Sequence, residues 1–276
     1  QSVQDQLKHY RQSTLIQAYT GKLTQYWRNS NPSSGNVDKL LEKIQLEGET
    51  QNEGGYSFSE IDGNEELSEI PKHWKWTSLG TITLNYDRRR IPVKRDDRKK
   101  MQGKYPYYGA SGIIDYVDDY LFDGEYLLLG EDGANLISRA TPIAFISKGQ
   151  FWVNNHAHVL KSLGQIPIKF IEHYLNHKSL AKYVTGTAQP KLSQRNMNKI
   201  SICVPPLEEQ KEIVDRIESC FSGLDYIEKK IEKSIITAGH FKKSIFKKAY
   251  EGRLVPQDPR DEPGSVLLYH IKAQNM

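Results

Sequence analysis

The sequence predicts an α+β fold, a middle domain of mostly short strands with a few helices, flanked by long coiled-coil helices at the chain ends. Three features carry this expectation. A segment near the start recurs near the end, a heptad row runs through the last third, and the text between is aromatic and β-branched, with glycines breaking short runs.

His9-Tyr10-Arg11-Gln12-Ser13 through Ala18-Tyr19-Thr20-Gly21-Lys22-Leu23 returns as His240-Phe241-Lys242-Lys243-Ser244 through Ala249-Tyr250-Glu251-Gly252-Arg253-Leu254. The offset is 231 throughout (240 − 9), with no gap. The two ends are therefore versions of one element, and what lies between is a single inserted unit. In the later copy Ile213, Ile217, Cys220, Leu224, Ile227, Ile231, Ser234, Ala238, Phe241 and Ile245 advance by alternating steps of four and three, the a/d seam of a coiled coil. Pro205-Pro206 supplies a helix start, Glu208 and Glu209 suit the positive end of its dipole, and Gly252 suits its C-terminal cap. One long coiled-coil helix over 206–252 follows, roughly 65 Å at 1.5 Å per residue. That is too long for a small globule to cover its seam, so a partner helix is required. The earlier copy keeps the register through Val3, Leu7, Tyr10 and Thr14 and predicts a truncated helix over 1–28. Two amphipathic helices packed on a common core are the plainer alternative, against which the unbroken heptads weigh.

Between the helices, Asn29–Gly35 predicts a turn-rich linker, followed by a short helix near Val37–Gln45 and a polar acidic stretch, all within 29–69. Ile70-Pro71 and Trp74 open the middle domain, 70–205. Its strand candidates are Tyr105–Tyr108, Ile113–Val117, Tyr126–Leu129, Ile143–Ser147, Phe151–Val153 and His158–Leu160. Ile168–Val184 predicts one amphipathic helix begun by Pro167, with Phe170, Ile171, Tyr174 and Leu175 inward, and Ile200–Val204 a last strand. The tail, 253–276, is expected to hold a short helix.

The net charge of +4 is mild but uneven. Between Lys43 and Lys72 every charged residue is acidic: Glu47, Glu49, Glu53, Glu60, Asp62, Glu65, Glu66 and Glu69. Arg88, Arg89, Arg90, Lys94, Arg95, Arg98, Lys99, Lys100 and Lys104 crowd the next stretch. Such a block suits a polyanion and equally a solvated loop. Cys203 and Cys220 are too few and too dispersed for a disulfide scaffold or a zinc site, so a reducing compartment, the cytoplasm, is expected. No apolar run approaches the roughly 18–20 residues that cross a bilayer, and no membrane partner is expected. The N-terminus shows no signal-peptide pattern and no initiator methionine, which fits a start inside something longer or processing.

Groups suited to catalysis are sparse. In Asn154-Asn155-His156-Ala157-His158, two histidines at i and i+2 share one face of a strand and could ligate a metal. No third ligand is obvious nearby, and a structural or DNA-contacting role is the commoner use of such a pair. Glu131-Asp132 could be a magnesium or general-base pair, but the flanking glycines argue for a tight surface turn, where a carboxylate can accept a cytosine amino hydrogen. There is no phosphate loop, no dinucleotide fingerprint and no Asx-Pro-Pro-aromatic tetrapeptide. No catalytic or metal residue is assigned, and no cofactor is expected in this chain.

Recognition chemistry is better represented. Lys104–Gly112 combines cations, planar side chains and a glycine-supported loop, and Thr185–Arg195 adds hydroxyls, amides and two cations. Gln and Asn suit adenine edges, Arg and Lys suit guanine, and cations suit phosphates. The expected DNA-binding set is Arg88, Arg89, Lys104, Tyr107, Tyr108, Ser111, Glu131, Asn135, Asn154, His156, Thr187, Gln189, Lys191, Ser193 and Arg195. The helix seam expected to meet a second copy or another subunit is Ile213, Ile217, Leu224, Ile227, Ile231, Phe241 and Ile245.

Together these parts resemble the specificity subunit of type I restriction-modification systems. The matching phrases are Pro71-Lys72-His73-Trp74, Tyr107–Asp115, Gly130–Asn135, Asn154–Leu160, Pro205-Pro206-Leu207-Glu208-Glu209-Gln210 and Ala249–Leu254. The departures are one recognition domain where the full subunit has two, and an N-terminal helix without the Pro-Pro-Leu-x-Glu-Gln opening. The resemblance fits both the second half of a full subunit and a half-length version. It implies double-stranded DNA as target and a recognition domain reading one half of a bipartite site. It also implies helices that set the spacing and dock modification subunits, with restriction subunits joining through these. S-adenosylmethionine, ATP and Mg would then sit on the partner subunits, and this chain would perform no chemistry. An exposed seam further predicts a homodimer. A coiled-coil scaffold or adaptor whose central domain binds protein is the competing reading, and an enzyme acting alone on DNA a third.

Overall fold

In the computed structural model, which describes residues 2–274 apart from 33–34, 52–53, 62–64, 66, 257 and 259, the chain opens on helix α1 (Val3–Tyr19). The expected turn at Ser33-Ser34 and the acidic residues Glu53, Asp62 and Glu66 lie outside the described residues. Ser2 caps α1 reciprocally: its hydroxyl accepts from the Asp5 amide and its own amide donates to the Asp5 carboxylate. The helix expected over 1–28 is corrected: it stops short at Gly21, whose φ of +73° suits glycine, and Gly252 of the later copy ends its helix at +67°. The shared glycine of the repeat is thus a shared helix stop.

Helices α2 (Gln25–Ser30) and α3 (Val37–Thr50) follow. The segment expected as a linker instead packs on the domain. The α3 helix packs Ile44 against Gly164 and runs past the expected Gln45 to Thr50, with Gly48 in that added turn buried against the Tyr56 ring. Further along, the Glu65 carboxylate sits among the Lys178 and Lys182 ammonium groups (3.0 and 2.6 Å) and the hydroxyls of Tyr183 and Ser201. The acidic stretch therefore supplies an internal counter-charge as well as solvated surface.

The middle domain contains β1 (Lys75–Ser78), α4 (Leu79–Ile82), β2 (Thr83–Asn85), α5 (Arg95–Arg98), β3 (Gln102–Gly109), β4 (Gly112–Val117), β5 (Phe122–Gly130), α6 (Asn135–Ser138), β6 (Ala144–Val153), β7 (Ala157–Ser162), α7 (Ile168–His177), α8 (Gln194–Asn198) and β8 (Ser201–Val204). Six strands form one sheet in the order β2-β7-β5-β6-β3-β4, antiparallel except for the parallel β3–β6 contact, and β1 pairs with β8 in a second sheet. Leu127, Leu128 and Leu129 are all buried, so central β5 is covered on both faces. Phe122 stacks on its register partner Phe151 with ring centroids 5.4 Å apart. The two runs expected at 143–147 and 151–153 are one strand, β6, because β5 pairs continuously from Phe122 to Leu129. The helix expected over 168–184 ends at His177, and Ala181–Tyr183 form a separate 3-10 turn. Arg139 stops it by donating to the Leu175 and Lys178 carbonyls at 3.0 and 2.6 Å, groups that a continuing helix would have paired.

Both ends of the domain are fastened at one place. After β8, helix α9 (Leu207–Tyr250) starts with Glu209, whose fully buried carboxylate accepts from Thr24 Oγ1 (2.7 Å), Arg28 Nε (2.9 Å) and Trp74 Nε1 (2.9 Å). The Pro71–Trp74 and Pro205–Gln210 phrases are thereby joined by one side chain. From this knot α1 and the first turns of α9 run antiparallel: Arg216 donates to the Leu23 carbonyl, Thr14 Oγ1 meets Cys220 Sγ at 3.4 Å, and Arg11 lies over the Phe221 ring. Three members of the expected intermolecular seam are corrected here, Leu224 among them, which is buried at 8% exposure. Ile213 and Ile217 have no exposed surface, because they face the domain core.

The chain divides into two compact units, Gln1–Phe221 and Ser222–Met276, the boundary falling within α9. In the second unit α9 leaves Ile227, Ile235, Ile236, Phe241, Ile245 and Phe246 exposed, and α10 (Gly264–Gln274) buries no residue. Among the described residues, no helix is long and apolar enough to cross a membrane.

Candidate nucleic-acid interface

Four loops that the sequence singled out separately form one continuous surface, because each closes on the next through backbone hydrogen bonds. The β3–β4 turn at Ala110-Ser111 lies beside the end of β6, where the Asn154 amide donates to the Tyr108 carbonyl at 3.1 Å. The Glu131 amide donates to His156 (2.9 Å), tying the loop after β5 to the β6–β7 turn. The Gly133 amide donates to Pro190 (3.0 Å) and the Leu192 amide to Glu131 (2.7 Å), adding the Thr185–Lys191 loop, itself closed by reciprocal Thr185 and Lys191 bonds of 2.9 and 2.8 Å. Gly133 at φ +102° and Gly186 at φ +84° make these turns possible, and a Cβ at Gly186 would meet the Gln189 carbonyl at 2.6 Å.

Beneath the loops lies a layer of charge. Arg90 donates to the Glu131 carboxylate and to the Ala157 carbonyl, each at 2.7 Å, and its guanidinium is 3.5 Å from Asp87. His158 presents Nδ1 to Asp87 at 2.6 Å and donates from Nε2 to the Leu192 carbonyl, an acceptor only, at 2.8 Å. Lys191 reaches the other Glu131 oxygen at 3.1 Å. Burial pushes the Asp87 carboxyl up, but the bond from His158 and the nearby Arg90 charge outweigh it and hold it below the ordinary value. Glu131 is also lowered: burial opposes ionisation, and Arg90, His158 and Lys191 overcome it. Asp87, Glu131 and His158 carry ligand atoms within 4.8 Å of one another, a set able to hold a metal ion, and the Arg90 guanidinium meets their negative charge.

The expected DNA-binding residues divide accordingly. Ser111, Thr187, Gln189, Lys191 and Arg195 are exposed, as is His156, whose Nδ1 is 2.7 Å from the Asp132 carboxylate. Asn135 clasps its own loop through two 3.1 Å bonds with Thr141, and Ser193 caps α8 at Asn196. Arg88 is exposed, Arg89 lies over Phe122 and donates to the Leu121 carbonyl, and Lys104 covers Tyr105 toward the far end of β3. Three expectations are corrected. Tyr107 is fully buried with Val117 and Trp152, accepting from the Val93 amide, and cannot reach a base. Glu131 is held in ion pairs rather than offered at a surface turn. Asn154 is buried and accepts from the His156 amide. Tyr108 is half-buried against Phe145 and Phe151.

The two histidines do not share a strand face, since His156 sits in the turn and His158, in β7, is buried. Nor is the basic block uniformly open: Arg98 pairs with Asp115 and Lys99 with Asp96. Asp87 and Arg90 were missed as site residues. Their sequence signal is an Asp and an Arg three positions apart, Arg90 also being a member of the basic block.

The family model described as the type I restriction modification DNA specificity domain matches residues 71–236. The chain belongs to this family. A putative type I restriction enzyme specificity subunit of Haemophilus influenzae is 35% identical over 146 residues, covering 52% of this chain and 37% of the relative. The EcoDI specificity subunit of Escherichia coli is 24% identical over 286 residues, covering 97% of this chain and 60% of the relative. This specificity-domain chain thus spans less than two thirds of the length of either. A solved chain from a study of complex assembly and conformational transition in the type I restriction-modification system shares the fold at a TM-score of 0.54, with 13% identity over 87% of this chain and 59% of that one. The matched segment opens on the Pro71–Trp74 phrase, holds the four loops and runs along α9 as far as residue 236, so the family's extent here is the recognition domain with most of its long helix.

Proposed function

We propose that this specificity-domain chain recognises double-stranded DNA sequence-specifically, reading one half of a bipartite site for a type I restriction-modification complex. In this reading the chain is non-catalytic and cytoplasmic. Its helices set the distance to the second half-site and dock the modification subunits, through which restriction subunits join, and S-adenosylmethionine, ATP and Mg reside on those partners. The observation that carries the reading is the joining of four loops into one surface that offers Ser111, His156, Thr187, Gln189 and Lys191 above a buried charge layer, with Arg195 exposed on α8, the helix that follows the last loop. Hydroxyl, amide and cationic groups on a rigid support are what base edges and phosphates require.

The test is duplex binding by the full chain, alone and with modification subunits, as a function of salt. Affinity should fall steeply with salt, and Lys191→Ala or Arg195→Ala should each weaken binding and reduce the salt slope by about one. Unchanged affinity in both variants, with and without modification subunits, would remove this surface from consideration.

The same reading includes a homodimer. Where α1 repeats the end of α9, it pairs antiparallel with the start of α9, so the exposed 227–245 face calls for a helix of opposite direction. Two α9 helices from two copies satisfy that requirement about a twofold axis, covering Ile227, Ile231, Phe241 and Ile245. A strictly monomeric chain at micromolar concentration in analytical centrifugation would contradict it.

A further inference from the structure

We propose that Ile113 and Ile114, on the β3–β4 hairpin, read the C5-methyl group of thymine in the major groove. The inference rests on the DNA-recognition reading and adds to it an apolar determinant among polar ones.

Residues of a regular strand alternate between faces. In β4 that alternation is broken. Tyr107 pairs with Asp115 but the next residue, Tyr108, pairs with Ile113, so Ile114 is an extra, bulged residue. The consequence is that consecutive isoleucines are both about half exposed, Ile113 at 47% and Ile114 at 52%. The bulge is also seated. Gly109 lies beneath Ile114, where an added Cβ would come within 3.2 Å of its methyl, so the bare glycine lets the side chain lie across the strand. The same position is 3.6 Å from the Asn154 side chain, which places Ile114 beside the joined loops.

The flank favours nucleic acid over an apolar protein partner. Asp115, the neighbouring carboxylate, is bound by Arg98 at 2.9 Å, which ties to this hairpin a segment that exposes the cations Lys94, Arg95, Lys99 and Lys100 alongside Asp96 and Asp97. In the major groove the thymine methyl is the one apolar group on a base edge. Two exposed apolar side chains beside the joined polar loops and one residue from the Arg98–Asp115 pair fit it.

The experiment uses the full chain and duplexes enriched from a randomised pool. Each thymine of the enriched sequence is replaced in turn by deoxyuridine, which lacks only the methyl. The wild-type chain should lose about fourfold in affinity at one or more of these positions. In Ile113→Ala and Ile114→Ala the loss at those positions should vanish, while Ile114→Leu retains it, with thermal unfolding of all variants matching wild type. Deoxyuridine duplexes that bind the wild-type chain like thymine duplexes overturn the proposal. So does an undiminished penalty in both alanine variants, which would leave the pair as a surface for protein. If the wild-type chain enriches no sequence and Lys191 and Arg195 are also without effect, the DNA reading itself falls and this inference with it.

Discussion

Replacing Glu209 by alanine should loosen the attachment of the recognition domain to its helices more than any surface change. The carboxylate is fully buried and accepts three hydrogen bonds, two on Oε1 from Thr24 and Arg28 and one on Oε2 from Trp74. Its removal leaves the Arg28 guanidinium, itself only 13% exposed, without an anion, and the indole N–H without an acceptor. Breaking a buried ion pair from one side costs about 3–5 kcal/mol. For a unit of this size each kcal/mol lowers Tm by about 2–4 °C, so a fall of about 6–20 °C is expected. Thr24→Val removes one neutral donor and should cost about 1 kcal/mol. Glu209→Gln should fall between them, because its amide NH2 must face a donor whichever way it is turned. Calorimetric or circular-dichroism melting of the full chain reads all three. A Glu209→Ala melt within about 0.5 kcal/mol of wild type, the range of ordinary surface substitutions, would refute the assignment of this residue as the fastening point.

Acid unfolding should report Glu65. Burial raises its carboxyl, but hydrogen bonds from Lys182, Ser201, Lys178 and Tyr183 prevail and hold it at about 2, against an ordinary 4.5. Because the folded value is the lower one, its contribution is complete above about pH 4.5 and is lost as the pH falls through about 2. Glu65→Gln should flatten stability across that window in a pH series of melts, and an unchanged slope would count against the cluster. At the candidate interface, Arg90→Met strips the cation from two buried carboxylates. It should cost about 3–5 kcal/mol and shift acid unfolding to higher pH as Asp87 and Glu131 rise, and it should weaken DNA binding through the loops rather than through a lost contact. Melting and binding measured on the same preparation check both effects.

Much of this was legible in the sequence. The repeat gives itself away because a helix stop needs glycine and a core-facing helix needs apolar residues at fixed intervals, and both constraints act locally. The Gly252 cap, the extent of α9 and most strands follow from such local rules, whereas the stop at Gly21 was overlooked inside the helix expected over 1–28. The loops carrying Ser111, Glu131, His156 and Lys191 were visible as polar, glycine-marked segments for the same reason. Which of their side chains face outward was not. Tyr107 and Tyr108 are adjacent and alike in sequence, yet Tyr107 disappears under Trp152 while Tyr108 stays half-exposed, since facing is decided by which sheet face a neighbouring strand covers. Likewise Glu131 looked like a surface carboxylate until Arg90, 41 positions away, closed on it, and Ile213 and Ile217 looked like a seam for a partner until the domain filled it. Periodicity and turn chemistry are short-range, so the chain alone determined its elements and the residues its loops carry. Burial and ion pairing are contacts between segments remote in sequence, so only the tertiary structure decided which of those residues face outward.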